Sequence, residues 1–452
     1  MTARPLLTFS IIASIVVLII FCEQRKACHI NKIFNFKKEL KKIRKRKSKT
    51  IKHRDSTLIG YSGRQKIYIP DNAKHVFMCG TTGCGKTVAL ANFIAQDHPM
   101  LIVDGKGDTG DGSIYDIVKR HKGKRKLYVI NLTTPLKSDF YNPFQNATPT
   151  IAKDMLINMT EWSEEHYKLN TERYLQRLLQ LLVLKEVSLS FKSILAHMSI
   201  DKFAELSGSL QQCGKISKAE HLANMEIVKT SGKIAENAVA RFSLIAESEL
   251  GYIFHESGVD IHTALEEKAI ILFILNPLIY PELSPLIGRL ILIDSKKAVS
   301  NLFGTTDRTF FIMDEINSYA SPVLIDLVNK SRSANVTCIL ATQSLSDLDY
   351  SAGQAFKEQV IENCNNFLVM RQNSAVNAEC WANILGTSST LEMTYQLQQK
   401  GLSTSETGFG SARRVREYLY HPDEIKTLQT GQAVLLSRDT GVHYRVKVHK
   451  SF

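Results

Sequence analysis

The chain has 452 residues, with 57 Lys plus Arg against 44 Asp plus Glu, a net charge of +13, and 8 Cys. An apolar fraction of 44% with 22% charged residues excludes wholesale disorder, and the length allows two or three domains with full cores. Cysteines this sparse, with no CxxC pair and no Cys/His cluster at zinc spacing, exclude a disulfide scaffold and a zinc module.

Residues 6–22 read LLTFSIIASIVVLIIFC, uncharged and interrupted only by Thr8, Ser10 and Ser14. With Pro5 the stretch reaches 18 residues, enough to cross a bilayer core. A signal peptide competes, but no small-residue cleavage site follows, and the next residues are basic. A buried core helix competes less well, because a first helix rarely lacks a polar face. A membrane anchor over 1–22 is therefore expected, with the chain after Cys22 on the cytoplasmic side by the positive-inside rule. Residues 23–54 then carry 14 cations against Glu23 and Glu39. Beside a membrane helix such a run binds anionic headgroups, at about 1 kcal/mol per cation. A plain solvated linker and direct DNA contact are the alternatives for this juxtamembrane segment, 23–58. Counting Arg4, residues 1–54 hold fifteen cations and two acids, and the remaining 42 cations and 42 acids cancel. The basic balance is thus a property of the tail and argues for a membrane surface.

The strongest signal is HVFMCGTTGCGKTVALANFI at 75–94, which contains G-x-x-x-x-G-K-[ST] as Gly80, Thr81, Thr82, Gly83, Cys84, Gly85, Lys86 and Thr87. A loop that binds phosphates must turn successive N–H groups inward, and glycines tolerate the positive φ this needs. Lys86 is placed to reach the β/γ-phosphates of ATP, and Thr87 to hold Mg²⁺. The apolar strand before the motif and the helix after it supply the required context.

A second carboxylate site is expected at RTFFIMDEINSYA, 308–320, an apolar strand ending in Asp314 and Glu315. Asp314 would hold the Mg²⁺ shell and Glu315 would orient or deprotonate the attacking water. Two further strands follow. VTCILATQSLSDL ends in Gln343, either a γ-phosphate sensor or a strand-end cap, and NNFLVMRQN ends in Arg371 and Gln372. Arg332, between Glu315 and Gln343, is a candidate arginine finger for a neighbouring subunit; a surface salt bridge is the alternative.

Together GTTGCGKT, LIVDGKGD at 101–108, FFIMDE and Arg332 ahead of ATQS resemble the type IV secretion coupling proteins, the TraG/TraD-like conjugation ATPases. YNPF at 141–144 and HPDEIKTLQTGQAVLL at 421–436 also resemble that family, and the resemblance covers most of 59–450. It implies a RecA-like P-loop NTPase motor that assembles as a homo-hexameric ring at a bacterial inner membrane. Such motors use ATP to pump single- or double-stranded DNA, or protein, toward a secretion channel. The implied partners are a relaxase or relaxosome and inner-membrane channel components. Lys86 and Thr87 inherit the phosphate and metal roles, Asp314 and Glu315 the carboxylate roles, Gln343 the sensor role and Arg332 the finger role. The stretch from Asp104 to Asp108 matches a family motif without an assigned role. Three departures stand out. One membrane helix is found where the family usually has two. Cys84 stands where Ser or Thr is commoner, which would open the loop to oxidation unless it is simply a small residue. No long substrate-recruiting tail is expected after HYRVKV.

Strands are expected near 76–80, 100–104, 127–131, 268–275, 309–314, 336–342 and 366–371, forming a mainly parallel α/β sheet. The motor is therefore divided into 59–150 and 266–452. Between them, 151–265 shows apolar residues at helical spacing and no strand-like alternation, which predicts an all-α insertion. That insertion would receive DNA or the relaxosome, or merely cap the motor. The Gly/Ser/Thr-rich stretch 401–417, with Arg413, Arg414 and Arg416, reads as a loop that lines a pore or lies on the surface. A HerA/FtsK-type translocase would share this motor, and a nucleotide-gated membrane scaffold would share its binding site.

Overall fold

A parallel strand covered on both faces must be apolar at every position, whereas helices need only one apolar stripe. That difference organises the molecule. The computed structural model describes residues 56–72, 74–400 and 403–451. The expected anchor at 6–22 and the basic run 23–54 lie outside them. Among the described residues no helix is long and apolar enough to cross a membrane.

Thirteen strands are described: β1 (Ser56–Ser62), β2 (Gln65–Pro70), β3 (Val76–Cys79), β4 (Met100–Asp104), β5 (Leu127–Asn131), β6 (Ile270–Ile274), β7 (Thr309–Asp314), β8 (Val336–Thr342), β9 (Asn366–Val369), β10 (Thr387–Lys400), β11 (Ser403–Tyr418), β12 (Gln432–Ser437) and β13 (Val442–Val448). Eleven of them form one sheet in the order β2-β1-β13-β12-β9-β3-β8-β7-β4-β6-β5. From β9 to β5 every pairing is parallel. These seven strands are the seven expected from apolar runs. The four strands beyond β9 pair antiparallel.

Alternate residues of the central strands feed two cores. Phe77, Leu101, Phe311, Leu340 and Phe367 face one side, and Met78, Ile102, Ile312, Ile339 and Leu368 the other. The helices between Pro149 and Glu266 follow one another without an intervening named strand. Their apolar residues, among them Leu178, Phe203 and Phe242, belong to the same cluster as the first sheet face.

The 141–145 segment ties this helical stretch to the helix Leu283–Asn301. The Tyr141 hydroxyl donates to Asp294 Oδ2 at 2.8 Å. Lys297 Nζ lies 2.8 Å from Asp294 Oδ1 and 3.4 Å from Asp260 Oδ1, and donates to the carbonyls of Pro143 and Gln145 at 3.1 and 2.9 Å. All of these side chains are buried. Burial pushes the Asp294 carboxyl up to about 6 even though Lys297 opposes the shift. Asn142 Nδ2 donates to the carbonyls of Leu189 and Glu256.

The expectation of a loop at 401–417 is corrected. Residues 403–418 form β11, paired antiparallel with β10 in a separate two-stranded hairpin. Ser, Thr, Gly and Arg dominate this strand, so it has no apolar stripe of period two to betray it.

Replacing Lys297 with Met leaves Asp260 and Asp294 buried without their cation. The folded state should lose about 3–5 kcal/mol, measurable as a lowered midpoint in urea unfolding.

Candidate nucleotide site

β3 lies between β8 and β9, while the chain leaving it returns three positions away as β4. The carboxyl ends of β3, β8, β7 and β4 therefore converge where ligands of doubly wound sheets bind. The loop of residues 80–85 leaves β3 and enters the helix Lys86–Ile94 directly. Gly83 and Gly85 have φ of 75° and 108°. Backbone bonds from Gly80 N to the Thr342 carbonyl and from Thr81 N to the Arg371 carbonyl seat the loop on the neighbouring strands. Thr87 is the second residue of the helix and half-buried. Cys84 is buried with its Sγ 3.5 Å from Met370 Sδ, and burial raises its thiol pKa. A thiol so placed is an inert packing group, in keeping with the reading of Cys84 as simply a small residue.

Four of the expected side chains meet. The Gln343 amide accepts from Thr82 Oγ1 at 3.1 Å and donates to Glu315 Oε1 at 3.3 Å. It thus joins the phosphate loop to the carboxylate pair. Lys86 Nζ is buried, donates to the Gly80 carbonyl at 2.5 Å and lies 3.8 Å from Glu315 Oε1. Glu315 has φ 50°, a left-handed backbone that a non-glycine residue adopts at a cost and that clusters at functional sites. Burial and the adjacent Asp314 hold its carboxyl above the ordinary range, against the pull of Lys86 and Lys106.

Arg332 is not brought to this cluster. It caps the helix Pro322–Ser331 ahead of β8, so all seven residues of the strand separate it from Gln343. At about 3.3 Å per residue that strand spans roughly 20 Å. The side chain is exposed, and among the described residues it forms no ion pair, which disfavours the surface salt bridge.

Two residues without an assigned role belong to the site. In the β4–β7 register Asp104 lies opposite Asp314, and both are buried. Burial and Asp314 push the Asp104 carboxyl up to about 7. Lys106 Nζ then reaches Asp314 Oδ2 at 3.0 Å and Glu315 Oε1 at 3.5 Å. The signal for Asp104 was available: LIVD, like FFIMD, is an apolar run ending in an acid. Lys106 lies within the Asp104–Asp108 stretch that matches a family motif, but nothing local reveals its partners, which lie more than 200 residues away.

The pocket suits a nucleotide with a divalent cation. Asp314 Oδ1, Glu315 Oε2 and Thr81 Oγ1 are buried and lack protein partners. A Cβ on Gly83 would meet no atom within 4 Å, so that edge of the loop is open to a ligand. The fold and loop are those of the P-loop NTPases.

The chain belongs to the family described as the type IV secretion-system coupling protein DNA-binding domain, whose model matches residues 66–449. It is similar to the bacterial conjugative coupling protein TrwBΔN70 in its unbound form, at 18% identity and a TM-score of 0.63, with 89% of each chain covered. The plasmid coupling protein TrwB in complex with ADP and Mg²⁺ is similar at 17% identity and a TM-score of 0.60, covering 88% of this chain and 94% of that one. VirB4 of Thermoanaerobacter pseudethanolicus follows at 14% identity and a TM-score of 0.54, with 88% and 97% covered. An uncharacterized protein of Mycoplasma pneumoniae is 33% identical over 105 residues, which is 23% of this chain and 70% of that protein.

A Cβ on Gly105 would lie 2.7 Å from Ser318 Oγ, 2.9 Å from the Asp314 carbonyl and 3.0 Å from Glu315 Cβ. Gly105→Ala should therefore cost about 1–3 kcal/mol in thermal unfolding without nucleotide, by pushing the β4 loop off the carboxylates.

Proposed function

We propose that this chain is a membrane-anchored, ATP-driven motor that couples DNA, or a protein substrate, to a type IV secretion channel. The observation that carries the reading is the Thr82–Gln343–Glu315 chain of hydrogen bonds, in a protein whose family is that of the secretion coupling proteins. A side chain that touches both the phosphate loop and the acid beside Asp314 can report whether a terminal phosphate is present.

In this reading the backbone of residues 80–85 cradles the phosphates of ATP. Lys86 reaches the β/γ-phosphates, which draws it from the Gly80 carbonyl. Thr87 and the buried Asp314 hold Mg²⁺, which when bound neutralises charge at the transferred phosphoryl group. Glu315 has a raised pKa and an unpartnered oxygen; it orients the attacking water and accepts its proton, a task favoured by a pKa nearer neutrality. Arg332, exposed on the far edge of the sheet, serves the site of a neighbouring copy, which implies a ring; the family resemblance suggests six copies. The segment 6–22 anchors the chain in the bacterial inner membrane, and the cations of 23–54 lie on anionic lipid. The helical stretch 151–265 faces the relaxosome and its DNA.

Lys86→Ala and Glu315→Gln should each lower DNA-stimulated ATP hydrolysis by about 100-fold or more in a phosphate-release assay. Retained hydrolysis in either variant would refute the assigned roles. A hydrolysis-dead protein that still supports substrate docking would favour a scaffold. Unchanged mating frequency in a deletion strain would favour a translocase unconnected with secretion.

Mixing Arg332→Ala with Lys86→Ala subunits tests the finger in trans. Partial recovery of hydrolysis is expected, since some interfaces then pair an intact loop with an intact arginine.

A further inference from the structure

Asp104, Asp314 and Glu315 bring three carboxyl groups to one strand edge, two of them opposite each other in register. Carboxylates buried together need a cation between them or a proton on one of them. Lys86 is engaged at the Gly80 carbonyl and lies 3.8 Å from Glu315. Among the described residues, the cation in ion-pair contact with Asp314 is Lys106, at 3.0 Å. The same ammonium lies 3.5 Å from Glu315.

The loop that carries Lys106 is held in place. Its backbone N–H donates to Asp104 Oδ1 at 2.9 Å. Gly105 fits against Ser318 and Asp314 with no room for a side chain. Thr133 Oγ1 donates to the Gly107 carbonyl at 3.2 Å and is itself held by Asn276 Nδ2 at 3.1 Å. The ammonium is thus delivered to Asp314 Oδ2, while Asp314 Oδ1 and Glu315 Oε2 stay without protein partners.

We propose that Lys106 is a positioning residue, a built-in counter-ion that holds Asp314 and Glu315 together when no nucleotide is bound and yields Asp314 as a divalent cation arrives. The ammonium and the metal serve the same charge, so each weakens the other's hold on Asp314. Lys106 thereby keeps the carboxylates from capturing a metal alone and reserves that exchange for a metal that arrives with phosphates. The metal half of this inference rests on the nucleotide-site reading above; the counter-ion half does not.

The full chain in detergent is compared with Lys106→Gln and Lys106→Arg. In EDTA without nucleotide, Lys106→Gln should melt about 4 °C or more below wild type, and MgCl₂ alone should restore most of the loss. Lys106→Arg should melt like wild type, which MgCl₂ alone should leave unmoved. With ADP as probe, the ratio of Kd in EDTA to Kd in Mg²⁺ should grow by about fivefold or more in Lys106→Gln. An unchanged melt in EDTA or an unchanged ratio overturns the proposal. So does equal loss of ADP affinity with and without Mg²⁺, which would make Lys106 a phosphate ligand. Absence of ADP binding in the wild type, with the EDTA melt behaving as expected, would remove the nucleotide reading and leave the counter-ion standing. If Lys106→Gln does not accumulate as folded protein, adding Asp314→Asn should recover it; failure to do so overturns the proposal.

Discussion

Repulsion between buried carboxylates is the constraint around which this site is built. Parallel pairing of β4 with β7 sets Asp104 opposite Asp314, and the chain adds Glu315 one residue later. Burial raises the cost of charge on each, and Asp104 is driven up to about 7 as a result. The surrounding groups answer this pressure. Lys106 and Lys86 supply cations, Gln343 supplies an amide, and the Lys106 N–H caps Asp104. The left-handed backbone of Glu315 is tolerated within the same arrangement. A site that concentrates negative charge in the protein interior is one that a metal-bearing anion can relieve.

Much of the motor was legible because its strands are buried on both faces. VFMC, MLIVD, IILFI, TFFIMD and VTCILAT are nearly unbroken apolar runs, each bounded by polar or turn residues. The antiparallel side of the sheet was harder to read. β2 is QKIYIP, half-exposed and mixed in character. In the hairpin, β10 alternates at Leu391, Met393, Tyr395 and Leu397, but its partner β11, rich in Ser, Thr, Gly and Arg, carries no such signature. Within the site, residues adjacent to a motif were found and those joined through the sheet were not. Gln343 could be placed because it ends an apolar strand. The engagement of Lys106 with Asp314 depends on a strand register that spans more than 200 residues.

The position of Arg332 sharpens the division of labour within the sheet. One edge gathers the loop, the carboxylates and the glutamine, and the opposite edge offers an exposed guanidinium. A strand of fixed length stands between them. The arginine is thus separated from the phosphate loop of its own chain by the core of the sheet.

The buried seam at Tyr141, Asp294 and Lys297 bears on how force could pass through the protein. An ammonium held by two carboxylates and two carbonyls, with a tyrosine hydroxyl closing the set, cannot slide without exposing charge to a dry interior. The joint between the 141–145 segment and the helix Leu283–Asn301 is therefore costly to disrupt. It behaves as a weld where a hinge might have been sought: parting the two would strand an ammonium and two carboxylates away from water.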